Sequence, residues 1–136
     1  MPVRFHVTSQ VDDDNKRIVF KISGQVDSDL LIAKWQETYA SIAEPWTYDR
    51  LFDYRRAEGL VDFDVVIRFA AWWHELVGDR IYESKVAVIV NNPLDLARVH
   101  TVANLFPMDR RESFTCIDDA LSWLNGEALP QRSKAS

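Results

Sequence analysis

Apolar residues fall into short strand-like runs separated by segments in which they recur at helical spacing. Phe5 to Val11 alternate loosely between apolar and polar, and Arg17 to Ser23 is rich in β-branched and aromatic residues. Between them, Asp12-Asp13-Asp14-Asn15-Lys16 carries turn chemistry, so the opening predicts an antiparallel hairpin. Gly24 to Ser28 breaks the second strand, and Asp27 or Ser28 can cap a helix by accepting an orphan backbone N–H. Leu31, Trp35, Tyr39 and Ile42 then follow at helical spacing, predicting a helix over 28–43 that Pro45 ends. Arg50-Leu51-Phe52-Asp53-Tyr54 reads as a short third strand.

A second helix is predicted over 63–77, opened by Asp62 or Asp64 and closed by Gly78. It is apolar nearly all round. Phe63, Val66, Ile67, Ala70, Trp73 and Val77 form one stripe, while Val65, Phe69, Trp72 and Leu76 form another. One stripe suits the core. The other predicts cover by a neighbouring element, a groove for an apolar ligand, or an interface with a partner or second copy. Lys85 to Val90 is a near-continuous apolar run, as in a central strand covered on both faces. Asn91-Asn92-Pro93 starts a third helix, with Leu96, Val99, Ala103 and Phe106 along one face. Glu112 to Cys116 predicts a last strand, and Asp118 and Asp119 open a final helix. The order β-β-α-β-α-β-α-β-α predicts an α/β domain: a mostly parallel sheet with right-handed crossovers and an antiparallel N-terminal edge hairpin. One domain is expected over 1–126, with 127–136 a flexible polar tail.

Composition narrows the function classes. With 136 residues, 47% of them hydrophobic, the chain can bury one substantial core. A net charge of −5 disfavours a nucleic-acid partner. Cys116 is the single cysteine, which rules out an intrachain disulfide and a cysteine-based zinc site. It reads as a buried, inert thiol in an apolar strand. The opening MPVRFHVTSQ lacks the apolar run of a signal peptide, and no uncharged stretch approaches the roughly 20 residues of a membrane span. A cytoplasmic location is expected.

Three local patterns carry a family resemblance: the hairpin ending in Ile22-Ser23-Gly24, the strand-turn Leu51-Phe52-Asp53-Tyr54-Arg55, and the ending from Phe114 to Leu124 with its Ala120-Leu121-Ser122-Trp123-Leu124. Together with the element order they resemble the STAS fold, in particular the SpoIIAA-like branch related to anti-sigma-factor antagonists. The resemblance implies a fold more than an activity. The best-known members of the wider family are phosphorylated on a Ser after the third strand. The corresponding Asp53-Tyr54-Arg55-Arg56-Ala57-Glu58-Gly59-Leu60 has no Ser or Thr, so that switch is not carried over. The SpoIIAA-like branch has also been likened to lipid-carrying folds, which implies a hydrophobic ligand as an alternative.

Ligands of open α/β sheets gather beyond the C-terminal ends of the strands. The candidate binding residues there are Asp53, Arg55, Arg56 and Glu58, with Asn91 and Asn92 in the next loop. Arg55 and Arg56 precede a helix N-terminus and could clamp a carboxylate or phosphate; equally, they could pair with Asp53, Glu58 or Asp62. Val65, Phe69, Trp72 and Leu76 are the candidate interface. No catalytic, metal or cofactor site is expected. His6, His74 and His100 lie on separate elements, His74-Glu75 lacks the second His of a zinc helix, and there is neither a nucleophile elbow nor a Gly-rich phosphate loop. The leading expectation is a non-enzymatic regulatory or protein-interaction module, homodimeric through the second helix. The alternative is a carrier of a small apolar or amphipathic ligand with Arg55 or Arg56 at its head group.

Overall fold

The computed structural model describes residues 4–126, so the segment 127–136 expected to form a tail lies outside the described residues. β1 (His6–Asp12) and β2 (Arg17–Gln25) form the antiparallel hairpin. Its turn is tied by Asn15, whose backbone and side-chain N–H groups both donate to the Asp12 carboxylate. Then follow α1 (Ser28–Ala40), a 3-10 turn at Pro45–Thr47, β3 (Asp49–Glu58), α2 (Phe63–Val77), β4 (Ser84–Ile89), α3 (Pro93–Ala103), β5 (Asp109–Phe114) and α4 (Ile117–Leu124). Asp27 caps α1 through its carboxylate and Asn92 caps α3 through its side-chain oxygen, each accepting an otherwise orphan backbone N–H.

Spatial strand order equals chain order, β1-β2-β3-β4-β5, with every pair after the hairpin parallel. Successive crossovers of one hand therefore place α1, α2 and α3 on the same side of the sheet. There they bury a large core against Ile18, Phe20, Ile22, Phe52, Tyr54, Val86 and Val88. Among the described residues the opposite face is covered by α4, whose Ala120 and Leu124 pack on Leu51, Ala87 and Ile89. β4 is thus apolar on both faces, as its near-continuous run predicts.

The elements differ from expectation where strands carry charge. β3 extends to Glu58 rather than ending at Tyr54, and β5 begins at Asp109 rather than Glu112. The added part of β3 is polar because Arg55, Arg56 and Glu58 are exposed, whereas that of β5 carries Asp109 and Arg111 with buried side chains, so in both strands polarity gave a false edge. Cys116 is not in a strand; it sits half-buried at the cap position of α4.

The two stripes of α2 are one surface. At about 100° per residue, Val65, Phe69 and Leu76 lie directly beside Val66, Trp73 and Val77, giving an arc of roughly 160° from Trp72 round to Ala70. Val65 and Phe69, for which cover, a groove or an interface was expected, are buried with that arc, and Trp72 and Leu76 are half-buried against the same core. Phe69 meets Trp35, Tyr39, Trp72 and Phe106. The large apolar residues that α2 leaves exposed are instead Phe63 and Ile67, just beyond the arc's edge.

Candidate ligand cavity and docking rim

Of the loop residues singled out for anion binding, Asp53, Arg55 and Asn91 are engaged with one another. Arg55 makes a bidentate contact with Asp53, Nε to Oδ1 at 3.0 Å and Nη2 to Oδ2 at 2.8 Å, while its backbone N–H donates to Oδ1 at 3.1 Å. Burial pushes the Asp53 carboxyl up, but these bonds outweigh it and hold its pKa below the ordinary value. The contact spans a register shift, since Lys21 pairs with Asp53 while Ser23 pairs with Arg56, so β3 carries an extra residue there. Asn91 Nδ2 donates to the Arg55 carbonyl at 2.6 Å, and Asn92 caps α3. Glu58 is exposed, with its carbonyl accepting from Val26 N–H, and Arg56 is exposed beside it. Arg55 thus braces the loop through Asp53, while Arg56 stands exposed.

The same edge of the sheet has another property. Leu30, Phe63, Ile67 and Leu94 are 58%, 38%, 44% and 77% exposed and stand in the first two turns of α1, α2 and α3. All three helix starts lie at the C-terminal end of the parallel strands, so these side chains share one rim. Between α1 and α2 the rim holds an open groove lined by Asp27, Asp29, Asp62 and Asp64, with Phe63 and Arg68. Asp62 N–H donates to Ser28 Oγ at 2.9 Å, tying the two helix starts together. Among the described residues, no cluster of three His, Cys, Asp or Glu could hold a metal ion.

A second site lies inside. A cavity of about 60 Å³ sits between the sheet and the helices, lined by Trp35 and Tyr39 of α1, Arg50, Phe52 and Tyr54 of β3, Phe69 of α2, Val99 and Val102 of α3, Phe106 and Arg111. Leu60, Val61 and Arg98 also line it; Arg98 is exposed and donates to the Val61 carbonyl at 2.8 Å, which places it at the mouth.

Behind this lining lies a buried charge cluster. Arg50 Nη2 meets Asp109 Oδ1 at 2.6 Å, with side-chain exposures of 3% and 0%. Burial disfavours the Arg50 charge, but the adjacent Asp109 more than offsets it, so its pKa rises. The guanidinium also lies over the Trp73 ring at 4.8 Å. Arg111 is less well served. Its Nη2 is 3.7 Å from Asp109 Oδ2, it lies over Phe106, and its Nε is buried without a hydrogen-bond partner among the described residues. Burial, only partly offset by Asp109 and reinforced by Arg50, lowers its pKa, although a guanidinium keeps its proton. Trp35 Nε1, Tyr39 Oη, Arg50 Nε and Arg111 Nε are buried without a hydrogen-bond partner among the described residues. The Tyr39 hydroxyl lies near Arg50 without the alignment of a hydrogen bond, and burial raises its pKa. Burial raises Tyr54 as well, and Tyr82, which accepts from Trp73 Nε1 at 2.9 Å, is pushed up to about 12.

Reading the sequence for motifs missed this cluster. Its signal was period-two alternation: Arg50 shares a strand face with Phe52 and Tyr54, and Asp109 shares one with Arg111.

No family model matches the chain, and no curated protein matches it. Among solved structures it is similar to an uncharacterized protein of the DUF3478 family with a SpoIIAA-like fold from Shewanella loihica. That match has 18% identity and a TM-score of 0.57, covering 91% of this chain and 95% of that one. It is also similar to an anti-sigma factor antagonist from Mycobacterium paratuberculosis, at 20% identity and a TM-score of 0.52, covering 88% of this chain and 95% of that one. At such identities the likeness is one of fold. The strand order, the antiparallel first pair and the four helices agree with it.

Proposed function

We propose that this chain, a SpoIIAA-like domain in fold, is a non-enzymatic regulatory module that binds a protein partner at the rim formed by the starts of α1, α2 and α3. The observation that carries the reading is that Leu30, Phe63, Ile67 and Leu94 are all exposed and all stand in the first two turns of the helices that start along that one edge. Isolated exposed apolar residues are ordinary, but grouped ones rimmed by charge mark interaction surfaces. Asp27, Asp29, Asp62 and Asp64 line the adjoining groove, so the fitting partner offers apolar side chains flanked by Lys or Arg. The similarity to an anti-sigma factor antagonist supports a role exercised through protein contacts. The chemistry of the interior supports binding over catalysis. The cavity lining holds arginines, aromatic residues and aliphatic residues, and its tyrosines are held further from ionising than usual.

The partner is a second copy of this chain or a different protein, and one experiment separates these. A photo-crosslinking residue is placed in cells at Leu94, and in parallel at Ile81, which is 90% exposed in the loop leading into β4 at the opposite end of the sheet. Specific adducts at position 94 that vanish with Ile67→Asp support the reading, and their mass tells homodimer from heteromer. Equal adducts at both positions, or none at 94, count against it.

A further inference from the structure

The interior cavity has a chemistry that the rim does not explain. Four buried donors, Trp35 Nε1, Tyr39 Oη, Arg50 Nε and Arg111 Nε, belong to residues lining one small apolar space, and none has a partner among the described residues. A buried donor left unmade costs about 1–3 kcal/mol, and more when charged. Asp109 Oδ2 is a buried acceptor without a partner among the described residues, 3.7 Å from Arg111 Nη2, but one oxygen does not serve four donors, so donors outnumber acceptors here. Two arginines face one carboxylate, Asp109, which leaves the cluster with a surplus of one positive charge in an apolar setting. Asp109 sits closest to Arg50, so the surplus resides on Arg111.

We infer that the cavity is a binding site for a small organic monoanion, a carboxylate on a single flat or branched apolar body, with Arg111 as its anchor. A carboxylate there gains the charge-assisted, bidentate geometry that guanidinium groups favour and brings the cluster to neutrality. A dianion would leave excess negative charge buried beside Asp109. The body would pack among Phe52, Phe69, Val99, Val102 and Phe106. Size limits it. One water needs on the order of 10–15 Å³ on this measure, so the space holds about four to six waters, roughly what one six-membered ring displaces. A long acyl chain exceeds that. Arg98, bridging from α3 to the Val61 carbonyl at the mouth, must release its hydrogen bond for the ligand to pass.

Calorimetric titration and tryptophan fluorescence at pH 8 test this with four probes: benzoate, benzyl alcohol, phenyl phosphate and hexadecanoate. Trp35 lines the cavity, so occupancy should change the emission. The expected result is saturable one-to-one binding of benzoate, at least tenfold tighter than each of the other three. Arg111→Met keeps the apolar stem and removes the charge; it should weaken benzoate at least tenfold and leave benzyl alcohol within twofold. Val102→Trp fills the space and should abolish both; it also decides the matter if Arg111→Met fails to fold. Equal binding of benzoate and benzyl alcohol, preference for phenyl phosphate or hexadecanoate, no binding at all, or unchanged benzoate affinity in either variant would overturn the inference. Leu94→Asp should leave benzoate binding unchanged, so failure at the rim and failure in the cavity are told apart.

Discussion

The buried cluster of Arg50, Asp109 and Arg111 makes a prediction about sign. With two cations and one anion it carries a net charge of +1, and the three side chains are 3%, 0% and 10% exposed. Arg50→Met removes a cation and leaves Asp109 paired with Arg111 at 3.7 Å, a cluster of net zero. Asp109→Asn removes the anion and leaves two buried cations facing one another. Breaking a buried pair costs roughly 3–5 kcal/mol, most of it from the charge left behind. Arg50→Met should lie at the lower end, about 3 kcal/mol, part of it the lost contact with the Trp73 ring. Asp109→Asn should lie at the upper end, about 5 kcal/mol, which approaches the whole stability of a small domain. Urea unfolding followed by circular dichroism gives both values, provided the slope with denaturant stays constant. A melting scan should show losses of roughly 10 °C and 15–20 °C, taking about 3–4 °C per kcal/mol at this chain length. If Asp109→Asn proves the milder change, the cluster does not carry surplus positive charge and the reasoning behind the cavity fails with it.

Asp53 has a native pKa below its ordinary 3.8, so its ion pair with Arg55 contributes fully above about pH 4 and is lost as pH falls through the lowered value. Asp53→Asn should therefore cost stability near neutral pH and have a shrinking effect below pH 4, measured by urea midpoints across that range; a constant difference would refute it. Gly59 sits at φ +93° with open space where a Cβ would go, so Gly59→Ala should cost about 1–2 kcal/mol through backbone strain alone. An unchanged urea midpoint would show that the loop relaxes freely. Phe69→Glu places a charge at a position 4% exposed among four aromatic rings, and should leave little folded protein by circular dichroism rather than a well-folded monomer. Leu94→Asp, at a position 77% exposed, should move the urea midpoint by less than about 0.5 kcal/mol.

Element order and sheet type were legible because hydrophobic period and turn chemistry agreed along most of the chain. The run from Lys85 to Val90, the cap at Asn92 and the stop at Gly78 each mean in the structure what they mean locally. The site was less legible, and for a definite reason. Arg50 pairs with Asp109 across 59 residues of chain, and neither pattern nor propensity reports a pairing at that separation. Arg55 was the converse case. Its partner Asp53 is two residues away, so one local bond decides whether it is a clamp or a brace. The apolar breadth of α2 left cover, groove and interface open for its second stripe, and cover is what the structure shows, because two adjacent stripes on a helix make one broad face.

The placement of α4 on the far side of the sheet has a consequence for how the chain comes to be folded. Strands are laid down in spatial order as the chain is made, and α1 to α3 can each dock as soon as the next strand arrives. Leu51, Ala87 and Ile89 cannot be covered until α4 has been synthesised, since Ala120 and Leu124 are their cover. A nascent chain ending at Phe114 would hold a complete sheet with one sticky face open to its neighbours. The last short helix thus acts as a seal on a crowded assembly line, and its late arrival is the moment of greatest risk for aggregation.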